Sequence, residues 1–127
     1  MRIEKIEEIS VSIEDESPPD VDYAILNIYR HSGQGALVNY DLYLGETFLC
    51  RVKNNHYESI KIYQDGMNTI WARTESKTEI PVKIKFGKEY YLRCGITIGI
   101  MVGHPKLELV DEQTGRIEIE SLKRKKK

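Results

Sequence analysis

Three histidines are the residues of this chain best suited to acid–base chemistry, because imidazole titrates near neutral pH. They are His31, His56 and His104, and each lies beside a turn signal. None has a second histidine at metal-ligand spacing, and the sequence contains no Cys-x-x-Cys pair. We therefore expect surface loop histidines, no catalytic residue, no metal site and no cofactor. A metal site assembled from loops that are distant in the sequence would not be visible in this spacing, so that alternative stays open.

The two cysteines, Cys50 and Cys94, are predicted to point into the protein. Cys50 has the same alternation phase as its apolar neighbours Phe48 and Val52. Cys94 has the same phase as Leu92 and Ile96. An inward thiol behaves as a small hydrophobic group, and burial raises its pKa, which argues against a nucleophile. A disulfide between them would require adjacent strands and stays open as an alternative.

Motifs for phosphate binding and for hydrolysis are absent from the sequence. Neither Gly33-Gln34-Gly35 nor the spaced Gly95, Gly99 and Gly103 match the phosphate-loop pattern, and Ser32 lacks a Gly-x-Ser-x-Gly context. Nothing selects a glycosidase-type pair from the scattered acids, such as Asp41, Glu58, Glu75 and Glu108. We predict that the protein is not an enzyme.

Two aromatic residues are the best candidates for ligand binding. Tyr43 alternates with Leu42 and Leu44, and Trp71 lies in the phase opposite to its apolar neighbours. If these phases face solvent, both rings offer flat apolar surfaces beside polar groups, as sugar- and peptide-binding sheets do. Tyr43 and Trp71 are therefore the predicted ligand-binding residues, with packing in the core or at a sheet edge as the alternative.

The elements that would position these residues are predicted to be strands. From about residue 21 onward, apolar residues recur at every second position, and turn signals separate the runs. The clearest run is 79–86, in which Pro81 indicates an edge strand or a bulge. Residues 117–119 are interpreted as part of a final strand. This pattern predicts an all-β fold, an antiparallel β-sandwich of about eight short strands.

Length and charge indicate one domain with charged ends. The chain has 127 residues, enough for a self-sufficient core, and a formal net charge of −1. Acidic residues are concentrated at its start and basic residues at its end. We predict an acidic N-terminal arm at 1–20, the sandwich domain at 21–122 and a basic disordered tail at 123–127. A neutral body excludes specific nucleic-acid binding, since only the tail could contact phosphates.

No targeting or membrane segment is recognisable. The sequence lacks a run of about 18 apolar residues, and its start alternates charged residues with isoleucine instead of forming a secretory signal. The chain as it stands is expected in the cytoplasm with reduced cysteines. The cell envelope is the alternative if a leader has been removed.

A resemblance to known proteins rests on three stretches, VNYDLYLGE at 38–46, WARTESKTE at 71–79 and FGKEYYLRCGITIGIMVGHPKLELVD at 86–111. Together they resemble an uncharacterised family of bacterial domains of unknown function, often found as small lipoproteins. The resemblance covers about residues 23–120, although this chain lacks a lipoprotein signal. It implies a β-sandwich that binds or spaces without catalysing, and it implies no catalytic residues.

These observations predict a non-catalytic interaction or binding module, with a protein partner or a glycan as the ligand. An exposed edge strand, such as the one holding Pro81, would recruit a partner by strand addition. A carbohydrate-binding module using Tyr43 and Trp71 is the first alternative. A small hydrolase would need a histidine beside a carboxylate or thiol, and nucleic-acid binding would depend on 123–127. Oligomeric state and strand order stay open.

Overall fold

The computed structural model describes residues 21–98 and 103–125, so the predicted acidic arm and the last two residues of the chain lie outside the described part. Within these residues the chain forms eight strands and one helix. The strands are β1 (Ala24–Arg30), β2 (Tyr40–Leu44), β3 (Thr47–Val52), β4 (His56–Ile62), β5 (Gly66–Arg73), β6 (Lys77–Ile84), β7 (Glu89–Ile98) and β8 (Gly103–Val110). The helix, α1, is Glu112–Lys125.

The strands form two four-stranded sheets that pack face to face. Sheet 1 has the order β4-β1-β7-β8 and sheet 2 the order β3-β2-β5-β6. The predicted β-sandwich is confirmed. One pair departs from the predicted antiparallel arrangement, because β1 and β7 run parallel. Parallel neighbours need a long crossover, and the chain provides it by building β2 to β6 between them.

The main core lies between the two sheets. Leu26 and Leu92 from sheet 1 and Leu42 and Ile70 from sheet 2 are among its buried residues. This alternation follows from geometry, since a strand with one face on a core places every second side chain inside. Pro81 lies on β6, the edge strand of sheet 2, as its residue type predicted.

A bulge in β3 reverses the predicted orientation of Phe48. Leu42 pairs with Cys50, and the next pair is Tyr43 with Phe48, which leaves Leu49 without a partner of its own in β2. One extra residue moves the preceding side chain to the other face of the sheet. Phe48 was expected to share the inward phase of Cys50, but its side chain is 54% exposed.

The C-terminal segment is helical, so the strand predicted for 117–119 is wrong. Gly115, Ile119 and Leu122 follow the spacing of one helical face and are buried. Ile117 points away from that face and is 61% exposed. Ile117 and Ile119 are two residues apart, which suggested a strand. The helical spacing is seen instead in the three buried residues of α1.

Hydrogen bonds and charges fix the ends of α1. Asp111 caps the first turn, because its Oδ1 accepts the Thr114 N–H at 2.7 Å. Glu112 in the first turn and the basic residues 123–125 in the last complement the helix dipole. Residues 123–125, predicted to belong to a disordered tail, therefore form the end of the helix.

A second, smaller core joins α1 to the outer face of sheet 1. It consists of Tyr29, Tyr91, Ile119 and Leu122. Gly115 permits the close approach, because a Cβ at this position would lie 2.5 Å from the Tyr91 ring. The helix is the reason why β1 is buried on both faces.

Candidate functional site

The two predicted ligand-binding residues lie side by side on the outer face of sheet 2, because β2 and β5 pair with Tyr43 opposite Trp71. Their rings stack with centroids 4.5 Å apart and planes 11° apart. Phe48 packs edge-on against Tyr43 at 5.8 Å, and Lys77 Nζ lies 4.8 Å from the centroid of the Trp71 ring. We call these four residues the aromatic row.

The aromatic row uses its ring faces for packing within the sheet. Tyr43 covers Trp71 from the β2 side and Lys77 approaches it from the β6 side. The indole N–H donates to the Gly45 carbonyl at 2.7 Å. A sugar that stacks on an aromatic side chain needs an uncovered ring face, whereas the Tyr43 ring and Lys77 Nζ both lie over the Trp71 ring.

A cleft of about 300 Å³ lies beside the aromatic row. Tyr43 and Trp71 line it together with polar and charged neighbours, Asn39, Tyr40, Asp41, Arg51 and Arg73. Arg51 Nη1 donates to Asp41 Oδ1 at 2.9 Å. The predicted residues therefore border a polar cleft, although they also pack on each other.

The three histidines lie in three different places. His31 follows β1, as the loop prediction required. His56 and His104 are half-buried strand residues, so the loop prediction is wrong for them. Each is held by a hydrogen bond, His104 with Ser76 and His56 with Glu58 at 3.0 Å.

One group of nucleophilic and metal-ligating side chains comes together among the described residues. Ligand atoms of Cys50, His56 and Glu58 all lie within 4.8 Å of one another. We call them the Cys–His–Glu group. Spacing did not reveal it, because Cys50 belongs to sheet 2 and the other two to sheet 1.

The thiol in this group is held in its protonated form. Burial, reinforced by the carboxylates of Glu58 and Asp41, raises the pKa of Cys50 to about 12. A neutral buried thiol is a poor nucleophile, so the environment of Cys50 does not favour nucleophilic chemistry at this residue. Both cysteines are buried, as predicted, and neither forms the disulfide that the sequence left open.

A second cleft, of about 200 Å³, opens where the loop after β1 meets β7 and β8. Three cationic side chains and one carboxylate line it, namely Arg30, Arg93 and Lys106 against Glu108. The remaining lining residues are His31, Ser32, Gly33, Gln34, Cys94, Gly95 and Ile96. We call this site the basic cleft.

Carboxylates neutralise one of the two arginines in the basic cleft. Arg93 Nε donates to Glu108 at 3.1 Å, and its Nη1 donates to Glu118 at 2.8 Å. Glu118 also accepts the Tyr29 hydroxyl. This network joins α1 to sheet 1 and leaves Arg93 with two anionic partners.

Arg30 has no such partner. Its side chain is 1% exposed, yet no carboxylate among residues 21–98 and 103–125 pairs with it. Nη1 donates to the Val38 carbonyl at 2.8 Å and Nη2 to the Gly35 carbonyl at 2.9 Å. The guanidinium carbon also lies 5.8 Å from the centroid of the Tyr40 ring. The carbonyls and the ring are uncharged, whereas buried charges in proteins are normally paired with an opposite charge.

The loop that supplies these carbonyls depends on Gly35. Its φ of 70° lies in the left-handed region that favours glycine, and a Cβ there would lie 2.6 Å from the Ile96 side chain. The Gly33-Gln34-Gly35 cluster therefore lets the loop lie close to β7 and places a carbonyl against Arg30.

Sequence reasoning missed the basic cleft because Arg30, on β1, is distant in the sequence from Arg93 and Lys106, which lie on the consecutive strands β7 and β8. One signal was available. Arg30 shares the alternation phase of Leu26 and Ile28, so it was a charged residue at a predicted core position. Nothing in the sequence placed Arg93 and Lys106 beside it.

Comparison with known proteins gives one informative likeness. No family model matches the chain. It is 31% identical over 107 residues to an uncharacterised protein from Haemophilus influenzae. The aligned region is 82% of this chain but 62% of that protein, so the chain spans less than two thirds of its relative. In the part of the chain described here, α1 is too short and too polar to cross a bilayer. The likeness agrees with a relation to uncharacterised bacterial proteins.

Proposed function

We propose that this protein is a non-catalytic binding module whose ligand carries an anionic group, a carboxylate or a phosphate, held in the basic cleft. The observation that supports this is the buried Arg30 guanidinium, which has carbonyl partners and no carboxylate partner within the described chain. A bound anion would supply the missing countercharge.

The donor groups of the cleft suit such a ligand. Two of the five N–H groups of Arg30 are committed to carbonyls, and guanidinium is well matched to planar or tetrahedral oxyanions. Lys106 is exposed and lines the same cleft, so it adds a cation that a ligand can reach. A volume of about 200 Å³ is small for a whole drug-sized ligand. It suits a small anion or the anionic end of a larger molecule.

Titration with inorganic phosphate and with citrate at constant ionic strength tests the proposal. We expect saturable one-site binding by calorimetry and a rise in melting temperature. Lys106→Gln should weaken binding about tenfold, or about 1.4 kcal/mol. Lys83→Gln, an exposed lysine on the edge of sheet 2, is the matched control and should change nothing. Equal loss of anion affinity in the two lysine variants would contradict an anion site at the basic cleft. So would a rise in melting temperature no larger than the rise caused by chloride.

A carbohydrate-binding module is the second candidate. The cleft beside the aromatic row combines Tyr43 and Trp71 with polar side chains, which favours a neutral sugar over a purely apolar ligand. Trp71 is the only tryptophan in the sequence, so its fluorescence reports on this cleft alone. Oligosaccharides should shift its emission if this candidate holds, whereas phosphate in the basic cleft should not.

We further propose that the module acts at the bacterial cell envelope, as the resemblance to small lipoprotein domains implies. The likeness to a Haemophilus influenzae protein supports the bacterial relation. Fractionation of cells that express the natural full-length protein tests the location. Recovery with the membranes and release by detergent are expected, and recovery in the cytosol alone would favour the cytoplasmic alternative.

A further inference from the structure

The Cys–His–Glu group lies where the chain crosses from sheet 2 to sheet 1. Cys50 is on β3, and His56 and Glu58 are on β4. The short turn between these strands contains Asn55 with a φ of 60°. His56 and Glu58 are two residues apart on one strand, so both side chains lie on the same face. The crossing brings the thiol to that face.

The three side chains have the donor atoms and the separation of an incomplete metal site. All three ligand atoms lie within 4.8 Å of one another, and His56 Nε2 is 3.0 Å from Glu58 Oε1. Around a tetrahedral Zn²⁺ with bonds of about 2.0–2.3 Å, neighbouring ligand atoms are roughly 3.3–3.8 Å apart. Shifts of about 1 Å or less would close the site.

We propose that Cys50, His56 and Glu58 bind one divalent transition-metal ion, with Zn²⁺ as the best match. Sulfur, imidazole nitrogen and carboxylate oxygen together favour a borderline-soft ion over Mg²⁺ or Ca²⁺, which prefer oxygen. Three protein ligands leave a fourth position for water. The sulfur binds as thiolate, and its proton passes to the buffer. The sequence predicted no metal site, because no ligands are at metal-binding spacing along the chain, and this proposal differs from that prediction.

Burial differs across the group in a way that suits a metal. Cys50 is 3% exposed, the His56 side chain 19% and the Glu58 side chain 44%. The softest donor is therefore inside and the carboxylate is at the surface, which provides an entry path. A metal would also link β3 and β4, the strands at neighbouring edges of the two sheets.

Titration with Zn²⁺ and Co²⁺ tests the site, using chelator-treated, reduced protein without a polyhistidine tag. We expect one ion per chain by calorimetry, and with Co²⁺ a thiolate-to-metal charge-transfer absorption. Cys50→Ser should abolish that absorption, and Cys94→Ser, the other buried cysteine, should keep it. His56→Gln and Glu58→Gln should each weaken Zn²⁺ binding at least about tenfold, since loss of an outer-sphere partner alone costs that much.

Glu58→Gln keeps the test independent of folding, because its side chain is half-exposed and keeps its size. His104→Gln is the control for general histidine binding and should keep full affinity. Absence of one-to-one binding by the wild-type protein overturns the proposal. So does metal binding that survives in Cys50→Ser, His56→Gln and Glu58→Gln alike. Anion binding at the basic cleft is measured separately and does not depend on this result.

Discussion

At the scale of single residues, Glu118 makes the contacts that hold α1 against sheet 1. Its carboxylate accepts hydrogen bonds from the Tyr29 hydroxyl and from Arg93 Nη1. Partial burial opposes ionisation of this carboxyl, but the hydrogen bonds from Tyr29 and Arg93 and the Arg93 charge outweigh it and hold its pKa below the ordinary value of 4.5. The ionised form is therefore the one that stabilises the fold.

The Glu118 contacts make the stability depend on acidity. Because the pKa of Glu118 is lower in the folded state, its contribution is complete above about pH 4.5 and is lost as the pH falls through the folded-state value. Glu118→Gln should reduce the free energy of unfolding at pH 7 by about 1–2 kcal/mol. The difference in free energy of unfolding between Glu118→Gln and the wild type should be smaller at pH 3.5 than at pH 7. Urea unfolding at both pH values measures it.

Glu120 supplies the control for Glu118. Its carboxylate lies 4.0 Å from Arg124 in an exposed pair one helical turn apart. Glu120→Gln should therefore change stability by less than about 0.5 kcal/mol. A Glu118→Gln difference of the same size at both pH values would show that packing, and not charge, explains its effect.

The alternation phase placed some side chains correctly and misplaced others. Tyr43 and Trp71 were selected because their phase opposes that of apolar neighbours, and the structure places them side by side on the outer face of sheet 2. Their role in ligand binding stays a prediction. Phe48 was misplaced, since a bulge shifts the phase without leaving a signal in the sequence. Arg30 gave a signal, a charged residue in a core phase, but the absence of a carboxylate partner within residues 21–98 and 103–125 could be seen only in the folded chain.

At the scale of elements, the docking of α1 depends on a residue that weakens isolated helices. In an exposed helix Gly→Ala is stabilising by about 1 kcal/mol. At Gly115 the new Cβ would lie 2.5 Å from two ring carbons of Tyr91 and 2.7 Å from its Cβ, so rotation of the ring cannot remove the clash. We expect Gly115→Ala to destabilise the protein by about 1–3 kcal/mol in urea unfolding.

Gly33 is the matched control for Gly115. A Cβ at Gly33 would meet nothing within 4 Å, so Gly33→Ala should leave stability within about 0.5 kcal/mol of wild type. If Gly115→Ala raised stability instead, α1 would have to dock less closely than the structure shows.

Pro81 lies on the edge strand β6 and has no N–H to donate, so we expect it to oppose pairing of this edge with another chain, in contrast to the strand addition suggested by the sequence. Proline is accommodated at an edge because the missing N–H would face outwards, and it interrupts the row of donors that another chain could pair with. Restoring the donor with Pro81→Thr should increase self-association, measured by sedimentation velocity across a concentration series. Glu79→Gln, on the same strand, should not. Unchanged sedimentation of Pro81→Thr would mean that another feature protects this edge.

At the scale of the whole molecule, the periodicity of the sequence predicted the sandwich but not the neighbours of each strand. Alternation shows which face of a strand meets the core, and it is clear in β2 and β6, whose outer faces are not covered by α1. It does not show that β1 lies beside β7, and that pairing brings Arg30 and Arg93 to the lining of the same cleft. It also misled at α1, where few buried positions mark the helical face.

The two cores are expected to open separately. Among the residues that the structure describes, seventeen buried residues form the core between the sheets, and four form the core under α1. A region with few buried contacts opens at a lower free energy than the whole protein. Native-state hydrogen exchange should therefore show α1 amides opening before those of β2 and β5.

Two substitutions test whether α1 is such a separate unit. Ile70→Val weakens the main core, so it should lower the protection of β5 amides by about 0.5–1.5 kcal/mol. The main core stays intact when only α1 opens, so the protection of α1 amides should not change. Leu122→Ala weakens the native state against both openings, so it should lower protection of α1 and β5 alike, by about 2–4 kcal/mol. Equal loss of protection in α1 and β5 on Ile70→Val would contradict this prediction. It would mean that α1 amides exchange only when the whole protein unfolds, so the sandwich and its helix would form one cooperative unit.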